Sequence, residues 1–446
     1  MADSTLSDPD ESEQLRRLLP ALADMLESVY SESNPIPPPA EIPPIPDDGM
    51  GMHELPDLWR LVVDGSSRLA SPWMMGHMDT AAHPAAVLTD ALVSGLNNNL
   101  LFRELSPFAS DIEQALVAEF AARLGLPETT SGVFCSGGSL GNLTALFAAC
   151  GGYNGPMDRS EIRLWCADSA HASIGKSAAL LGLTQVVRLA TDANGGLDVS
   201  ALRAGLSQCR ADRNIVVAVL GSTITGSVDD LVAIGDLCHQ YSAWLHVDAV
   251  YGGALAYSTQ YRHLLAGIET ADSVAIGPQK WLYVPRLCAL TLFYDSEYFE
   301  SALGAPLAYS KGQRVHRGTW GLQGSRRADA ITLWVLLQVL GRRGLARLID
   351  RSIELTKTFH TMLQAHALAT PLHVPTLNLQ AFRWGEVDAS GERLARVQDR
   401  LESMGKAWVS VAYWRNEYVL RTVLLNPRTR REHLAALLDQ LEVAGD

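Results

Sequence analysis

The stretch FCSGGSLGN, residues 134 to 142, contains the residue types that bind a phosphate group. An apolar run ends in two glycines, Gly137 and Gly138, and Ser139 follows at the start of a helical pattern. Glycines let the backbone approach an anion, the serine offers a hydroxyl, and a helix N-terminus offers unpaired N–H groups. A turn of this kind is also common without a ligand. Its spacing differs from the dinucleotide fingerprint and from the P-loop, which disfavours both of those ligands.

Two more polar residues follow predicted strands. His171 comes after EIRLWCA at a predicted helix start, where it would cap the helix or stack on a planar ring. Asp248 ends the apolar run WLHVD, and a carboxylate at that depth needs a partner. The partner could be an arginine, a metal ion or a protonated ring nitrogen. His246 could pair with it as a metal ligand, but no third ligand with suitable spacing follows, so we predict no metal site.

A single lysine, Lys280, lies just beyond the predicted core strand that opens SVAIGPQKWLYV, residues 273 to 284. Most lysines lie at the surface in water. A lysine in a partly desolvated site loses its proton more easily and becomes a nucleophile toward carbonyl groups. Taken alone, the position fits either a surface lysine or a reactive one.

These residues need a sheet that brings the ends of their strands together. From about residue 110, short apolar runs alternate with helical patterns such as SDIEQALVAEFAARLGL, for which we expect a cap at its opening Ser-Asp. The alternation predicts an α/β fold with a large, doubly wound, mainly parallel sheet, whose ligands bind beyond the carboxyl ends of the strands. We predict a helical and proline-rich dimerisation segment (1–65), a large α/β domain (66–340) and a small C-terminal α+β domain (341–446).

The four features in chain order match what pyridoxal 5'-phosphate needs. The glycine-rich turn would anchor its phosphate, and His171 would stack on its ring. Asp248 would keep the ring nitrogen protonated, so that the ring acts as an electron sink, and Lys280 would hold the aldehyde as a Schiff base.

The composition of the 446 residues narrows the possible partners. The net charge is -13 and no basic run occurs, which disfavours nucleic acid. No stretch approaches the ~18 apolar residues of a membrane span, and the polar start does not resemble a signal peptide. The six cysteines contain no C-x-x-C pair, which is typical of a reducing cytosol. We therefore expect a cytoplasmic enzyme with a small-molecule substrate.

Several motifs in this order carry a family resemblance: FCSGGSLGNLTAL, DSAHASIGKSAALLG, GSTITGSVDDL, HVDAVYGG, PQKWL and GSRRADAITLW. From about residue 14 to 442 the chain resembles the group II pyridoxal-phosphate decarboxylases, which act on aromatic amino acids, glutamate, cysteine sulfinate or 2,4-diaminobutyrate. The resemblance implies fold type I, a homodimer with active sites at its interface, and release of CO2 from an L-amino acid to give an amine. Another fold type I activity stays open: an aldehyde-forming decarboxylase, a carbon–carbon lyase or an aminotransferase. So does a non-catalytic pyridoxal-binding protein.

The resemblance also implies roles for individual residues. Those near the cofactor are Gly138 and Ser139 at the phosphate, His171 on the ring, Thr223 beside it, Asp248 at the ring nitrogen, Gln279 next to the lysine, Lys280 as the Schiff-base lysine and Tyr309 as proton donor to the substrate carbon. Those near the substrate are Arg421 at its α-carboxylate and Leu101, Phe102 and Arg103 from the partner chain.

The sequence departs from the family pattern at the glycine-rich turn, which continues Ser-Leu-Gly (139–141) where Ser-Glu-Ala is usual, and at three further positions. Gln279 replaces a histidine that often touches the phosphate, Gly277 replaces a common asparagine, and Val250 replaces a small residue and could crowd one ring face. The wording of the motifs favours a non-aromatic substrate. Arg103 would suit a second acidic group, whereas Leu101 and Phe102 would suit an apolar side chain.

Overall fold

The computed structural model describes residues 11–31, 34–38, 41–156, 158–305 and 316–445. They form two compact units. The smaller unit comprises the described residues of Met1–Ala81, Val387–Thr422 and Asn426–Asp446, and the larger one comprises those of Ala82–Glu386 and Val423–Leu425. The units group the chain differently from the three predicted segments, whose status as domains stays a prediction.

The elements are numbered in chain order. The α-helices of the described residues are α1 (Glu11–Val29), α2 (Leu55–Asp64), α3 (Pro84–Leu96), α4 (Pro107–Leu124), α5 (Gly138–Ala149), α6 (Ala172–Leu180), α7 (Val199–Gln208), α8 (Leu231–Gln240), α9 (Ser296–Leu303), α10 (Asp329–Gln364), α11 (Glu392–Ser403) and α12 (Arg431–Gly445). The strands are β1 (Ser131–Cys135), β2 (Ile162–Ala167), β3 (Gln185–Leu189), β4 (Arg213–Val219), β5 (Trp244–Ala249), β6 (Ser273–Ile276), β7 (Ala289–Phe293), β8 (Ala369–Pro371), β9 (Leu379–Trp384), β10 (Ser410–Trp414) and β11 (Glu417–Val423).

The larger unit is built on a seven-stranded sheet in the order β1-β7-β6-β5-β4-β2-β3. Strand β7 runs antiparallel to both of its neighbours, and the remaining adjacent pairs are parallel. The predicted mainly parallel α/β sheet is therefore confirmed. Its central strands are mainly apolar, as in parallel sheets covered by helices on both faces, and Ile215, Val216 and Val217 are completely buried.

One helix begins at a different residue from the one expected, and another helix is kinked. Helix α4 begins at Pro107, not at the predicted Ser-Asp cap, because Ser106 occupies the N-cap position and proline is well suited to the first helical residue. Helix α10 contains one non-helical residue, Gly341, with φ 62° and ψ 171°, so it is kinked there.

The smaller unit joins the N-terminal segment to the C-terminal elements. Strands β10 and β11 form an antiparallel hairpin, and Met75 N donates to the carbonyl of Trp408 at 3.0 Å. The side chain of Asn426 donates to the carbonyls of Ala70 and Ser71 at 3.1 and 2.8 Å. Within the described part of the chain, no helix combines the length and apolar character needed to cross a membrane.

Candidate active site

The glycine-rich turn follows β1 directly and leads into α5. Gly137 has φ 91°, a conformation that favours glycine, and α5 begins at the next residue. A Cβ on Gly138 would lie 2.6 and 2.7 Å from the two methyl carbons of Val250, so no side chain fits there. Ser139 is exposed at the same helix start. The turn therefore presents bare backbone, a hydroxyl and a helix N-terminus, the combination that binds phosphate.

Asp248 lies near the end of β5 and is 6% exposed. Its Oδ2 accepts a hydrogen bond from Asn142 Nδ2 at 2.9 Å, and its Oδ1 accepts one from the backbone N–H of Val250 at 3.2 Å. Asn142 lies on α5, one helical turn after Gly138, so the two residues share a face of that helix. Helix α5 thus carries both the phosphate-type turn and the amide that holds the carboxylate.

His171 is exposed and caps the N-terminus of α6. Its Nδ1 accepts a hydrogen bond from the backbone N–H of Ser173 at 3.1 Å and lies 2.8 Å from the Ser173 hydroxyl. Because Nδ1 accepts, the ring carries its hydrogen on Nε2. Asn142 Nδ2 also donates to the Ser173 hydroxyl at 3.0 Å. Asp248 and His171 are therefore linked through Asn142 and Ser173.

His246 is completely buried beside this group. Its Nε2 lies 3.1 Å from Asn142 Oδ1, and its Nδ1 lies 3.0 Å from the hydroxyl of Ser273. Burial lowers the pKa of His246 to about 4, although the charge of Asp248 opposes that shift. His246 is therefore neutral at physiological pH. Among the described residues, no group of three or more metal-binding side chains is placed to hold a metal ion.

Lys280 is half-buried and follows β6, the strand that pairs with β5. Its backbone N–H donates to the carbonyl of Gly277 at 2.9 Å. The next residue, Trp281, is completely buried and stacks on Tyr251, with ring centroids 5.1 Å apart and planes 24° apart. The aromatic residue after the lysine therefore packs into the core and fixes the backbone that carries it.

Gln279 lies next to the glycine-rich turn. Its carboxamide atoms are 3.8 and 3.9 Å from the place where a Cβ on Gly137 would be. Its Oε1 accepts a hydrogen bond from the backbone N–H of Cys288 at 2.8 Å, which assigns the amide orientation. The Nε2 group is thereby left as a donor, the kind of group that binds a phosphate oxygen.

The described residues fit pyridoxal phosphate. Asp248 is a buried carboxylate, and in the part of the chain that the structure describes it receives hydrogen bonds only from neutral groups, Asn142 and a backbone N–H. A buried carboxylate is stabilised by a cationic donor, and a protonated ring nitrogen is one. A bare glycine turn for the phosphate and a half-buried lysine for the aldehyde complete the set.

Thr223 and residues 101–103, which the sequence also assigned to the site, belong to connecting segments of the larger unit. Thr223 is half-buried in the loop after β4, the strand beside β5. Phe102 packs edge-on against His316, with ring centroids 5.1 Å apart, and Leu101 contacts Gly318. Arg103 forms an ion pair of 2.7 Å with Asp111. Residues 101–103 thus pack on segment 316–318.

Two residues of the predicted site are not among the described residues of the larger unit. Arg421 lies on β11, where its Nη2 donates to the carbonyl of Gly76 at 2.6 Å and its Nε to the hydroxyl of Ser410 at 3.1 Å. It is 7% exposed. Tyr309, the predicted proton donor, lies outside the described residues.

Comparison with known proteins decides the family. Residues 39–379 match the model of the pyridoxal-dependent decarboxylase conserved domain. The chain belongs to the pyridoxal-dependent decarboxylase family. It is 30% identical to the L-2,4-diaminobutyrate decarboxylase of Rhizobium meliloti (strain 1021) over 90% of this chain and 83% of that protein. It is 27% identical to the aromatic-L-amino-acid decarboxylase of Bacillus atrophaeus over 90% of this chain and 87% of that protein.

The fold is likewise that of this decarboxylase family. The crystal structure of mouse CSAD superposes with a TM-score of 0.90 at 25% identity, covering 98% of this chain and 100% of that one. The protein is a pyridoxal-phosphate-dependent amino acid decarboxylase, a carboxy-lyase of fold type I. When bound, pyridoxal phosphate supplies the electron sink that makes loss of CO2 from the α-carbon feasible.

The sequence reasoning missed Asn142 and Ser173, and it considered His246 only as a metal ligand. Two signals were available. His246 and Asp248 are two residues apart in one strand, so they point to the same face of the sheet. Asn142 lies four residues after Gly138, on the helix face that carries the glycine turn. Neither signal reveals by itself that the two faces meet.

Proposed function

We propose that this enzyme carries out simple decarboxylation of a non-aromatic L-amino acid to the corresponding amine, with Lys280, Asp248 and His171 as its main catalytic residues. The single observation that carries the assignment is the buried hydrogen-bonded group of Asp248, Asn142 and Ser173 that ends at His171. It ties a carboxylate suited to the ring nitrogen to an imidazole suited to the ring face.

Each residue has a distinct task in this proposal. Gly138, Ser139 and Gln279 bind the phosphate, with Thr223 beside the ring. Asp248 keeps a proton on the ring nitrogen, so that electrons released with CO2 have a destination. Lys280 holds the cofactor and releases the amine.

The substrate is oriented by groups outside this cluster. Arg421 binds the α-carboxylate, and Tyr309 delivers a proton to the α-carbon. Residues 101–103 of the partner chain complete the pocket.

The substrate assignment rests on likeness and on charge. The 30%-identical relative from Rhizobium meliloti is named an L-2,4-diaminobutyrate decarboxylase, and we propose that amino acid as the first substrate to test. Arg103 is the residue that would favour an acidic substrate. It already contacts Asp111 at 2.7 Å, which supports a substrate without a second acidic group over glutamate or aspartate.

A panel assay tests the activity. The purified protein, loaded with pyridoxal phosphate, is offered each common L-amino acid, cysteine sulfinate and 2,4-diaminobutyrate, and CO2 and organic products are followed by mass spectrometry. CO2 with the matching amine from one substrate supports the proposal. CO2 with an aldehyde, a cleaved side chain, or turnover only with an added keto acid would identify the aldehyde-forming, lyase or aminotransferase alternative.

A separate experiment tests the lysine. Borohydride reduction of the loaded protein, followed by peptide mapping, should attach the cofactor to Lys280. The matched control is Lys176, a lysine on α6 of the same unit. A label on Lys176 or elsewhere, with Lys280 unmodified, would contradict the assignment.

We also propose a cytoplasmic homodimer. Leu88, Leu92 and Leu96 lie four residues apart on α3, with 65%, 61% and 53% of their surface exposed in the single chain. Such a stripe is suited to cover by a second copy. Leu92→Lys should shift the sedimentation coefficient toward a monomer, whereas Val232→Lys, at an exposed apolar site on α8, should not. The free, mostly buried cysteines support a reducing compartment.

A further inference from the structure

A continuous line of hydrogen bonds lies behind Asp248 and His171, and the carboxylate of Asp248 fixes its direction. The indole Nε1 of Trp244 donates to the hydroxyl of Ser273 at 3.0 Å. At the other end, the carboxylate of Asp248 can only accept, so Asn142 Nδ2 faces Asp248 and Asn142 Oδ1 accepts a hydrogen bond from His246 Nε2. The tautomer of His246 follows, with its hydrogen on Nε2.

With this tautomer, His246 Nδ1 accepts from the hydroxyl of Ser273, whose oxygen also accepts from Trp244 Nε1. The hydrogen on His246 Nε2 points to Asn142 Oδ1, and the Nδ2 group faces the other way. Both of its hydrogens are then used, one for Asp248 Oδ2 and one for the hydroxyl of Ser173. The Ser173 hydroxyl is left to donate to His171 Nδ1. Every donor in the line points toward the two groups that would face the cofactor.

Burial makes this arrangement hard to replace. Asn142 is 1% exposed, His246 is completely buried and Ser173 is 2% exposed, so bulk water does not reach the line. In a low-dielectric interior each bond polarises the next, and an unpaired polar group is costly. Neutral His246, whose pKa burial lowers, is also what allows one ring nitrogen to accept while the other donates.

We propose that Asn142 is a positioning residue that holds Asp248 and His171 in one fixed arrangement toward the ring of the cofactor, and that Trp244 supports the orientation of the Asn142 amide through Ser273 and His246. This inference rests on the proposed roles of Asp248 and His171. The positions of Asp248 and His171 then depend on each other, because Asn142 donates one hydrogen bond to Asp248 and another to Ser173, which contacts His171.

The test uses cofactor binding and ring-nitrogen protonation, not turnover alone. Asn142→Ala removes both donors. Its Kd for pyridoxal phosphate should rise about tenfold or more, the scale of a lost hydrogen bond to a charged group. With ¹⁵N-labelled pyridoxal phosphate, the ring-nitrogen resonance of the bound cofactor should move toward the unprotonated position. Trp244→Phe, which keeps an aromatic ring, should shift both readouts in the same direction by a smaller factor.

The matched control is Thr144→Val on the same helix. Thr144 is equally buried, and its hydroxyl donates to the Leu140 carbonyl inside α5, so the change should leave the ring-nitrogen resonance unaltered. A Kd within twofold of the wild type for Asn142→Ala, with an unchanged resonance, would overturn the inference. If Asn142→Ala does not fold, Trp244→Phe decides: a shifted resonance supports the inference and an unshifted one overturns it.

Asp248→Asn separates this inference from the proposed function. If that variant changes neither the Kd nor the ring-nitrogen resonance, the assignment of Asp248 itself is wrong. If it changes both while the Asn142 and Trp244 variants change neither, the assignment of Asp248 stands and only the positioning role of Asn142 fails.

Discussion

The tightest packing at the candidate site predicts a size constraint between Gly138 and Val250. A methyl group on Gly138 would lie 2.6 and 2.7 Å from the two methyl carbons of Val250, about 1 Å inside an ordinary carbon–carbon contact. Forcing a methyl group into a packed site costs roughly 1–3 kcal/mol. Gly138→Ala should therefore lower the free energy of unfolding of the cofactor-free protein by that amount.

Val250→Ala should relieve the constraint. It removes both crowding carbons and leaves the Val250 Cβ 3.2 Å from the added methyl, a contact that a small shift can relax. Alone it should cost about 1–1.5 kcal/mol, by the value of two half-buried methyl groups. In the double variant the two costs should not add. We expect a favourable coupling of about 1–2 kcal/mol, because each substitution accommodates the other.

Urea unfolding of the cofactor-free wild type, the two single variants and the double variant gives the four free energies of unfolding of a double-mutant cycle. Phosphate binding does not contribute to any of them. Gly95→Ala on α3 is the control, since nothing lies within 4 Å of a Cβ there. That change should be neutral or stabilise by up to about 1 kcal/mol. Additivity of the Gly138 and Val250 substitutions within about 0.5 kcal/mol would refute the reasoning, because the crowding would then come from elsewhere.

Three further predictions concern the reaction and its pH dependence. Asp248→Ala should bind pyridoxal phosphate poorly and lose about 10³-fold or more in kcat, and near-normal turnover would refute its role. Tyr309→Phe should divert part of the product from amine to aldehyde and ammonia, and an unchanged product ratio by mass spectrometry would remove Tyr309 from the protonation step. Burial lowers the pKa values of His246 and His373 to about 4, so between about pH 6.5 and 4 they bind protons only when the chain is unfolded. Asp229 acts oppositely, because burial raises its pKa to about 6 and its carboxyl holds a proton when folded. His246 by itself takes up one proton on unfolding in this window, so His246→Gln should lower the slope of the free energy of unfolding against pH by up to about 1.4 kcal/mol per unit in urea titrations, and an unchanged slope would contradict a neutral, buried His246.

The sequence predicted the fold because its signals are local. Continuous apolar runs such as Ile215 to Leu220 indicate strands that are covered on both faces, and the alternation with helical patterns indicates a parallel sheet. A glycine turn after β1, a carboxylate near the end of β5 and a lysine after β6 indicated one edge of the sheet for the same reason. The predicted start of α4 was wrong because the proline rule for the first helical residue applies at Pro107, where the pattern had not yet become periodic.

The hydrogen bonds behind the site could not be predicted in the same way. Asn142 and Asp248 are 106 residues apart, and their contact depends on how α5 packs across β5 and β6. Periodicity gives the face on which a residue lies, but not the neighbour it meets across a packed layer. For that reason His246 looked like half of a metal pair, whereas in the structure its Nε2 lies 3.1 Å from the amide oxygen of Asn142.

Two of the departures from the family pattern, Val250 and Gly277, form one packing arrangement with Gly138. The side chain of Val250 lies against Gly138 on one side and against Gly277 on the other, where a Cβ would meet the Val250 carbonyl oxygen at 2.5 Å and one of its methyl carbons at 2.8 Å. An asparagine at position 277 is therefore excluded by backbone as well as by side chain. Gly277→Asn alone would displace the backbone between β5 and Lys280. A loss of activity in that variant would therefore reflect the displaced backbone, and it could not be assigned to the chemistry of the asparagine. Changing Val250 as well removes only the methyl contact, because the carbonyl oxygen of residue 250 stays 2.5 Å from the added Cβ whatever side chain that residue carries.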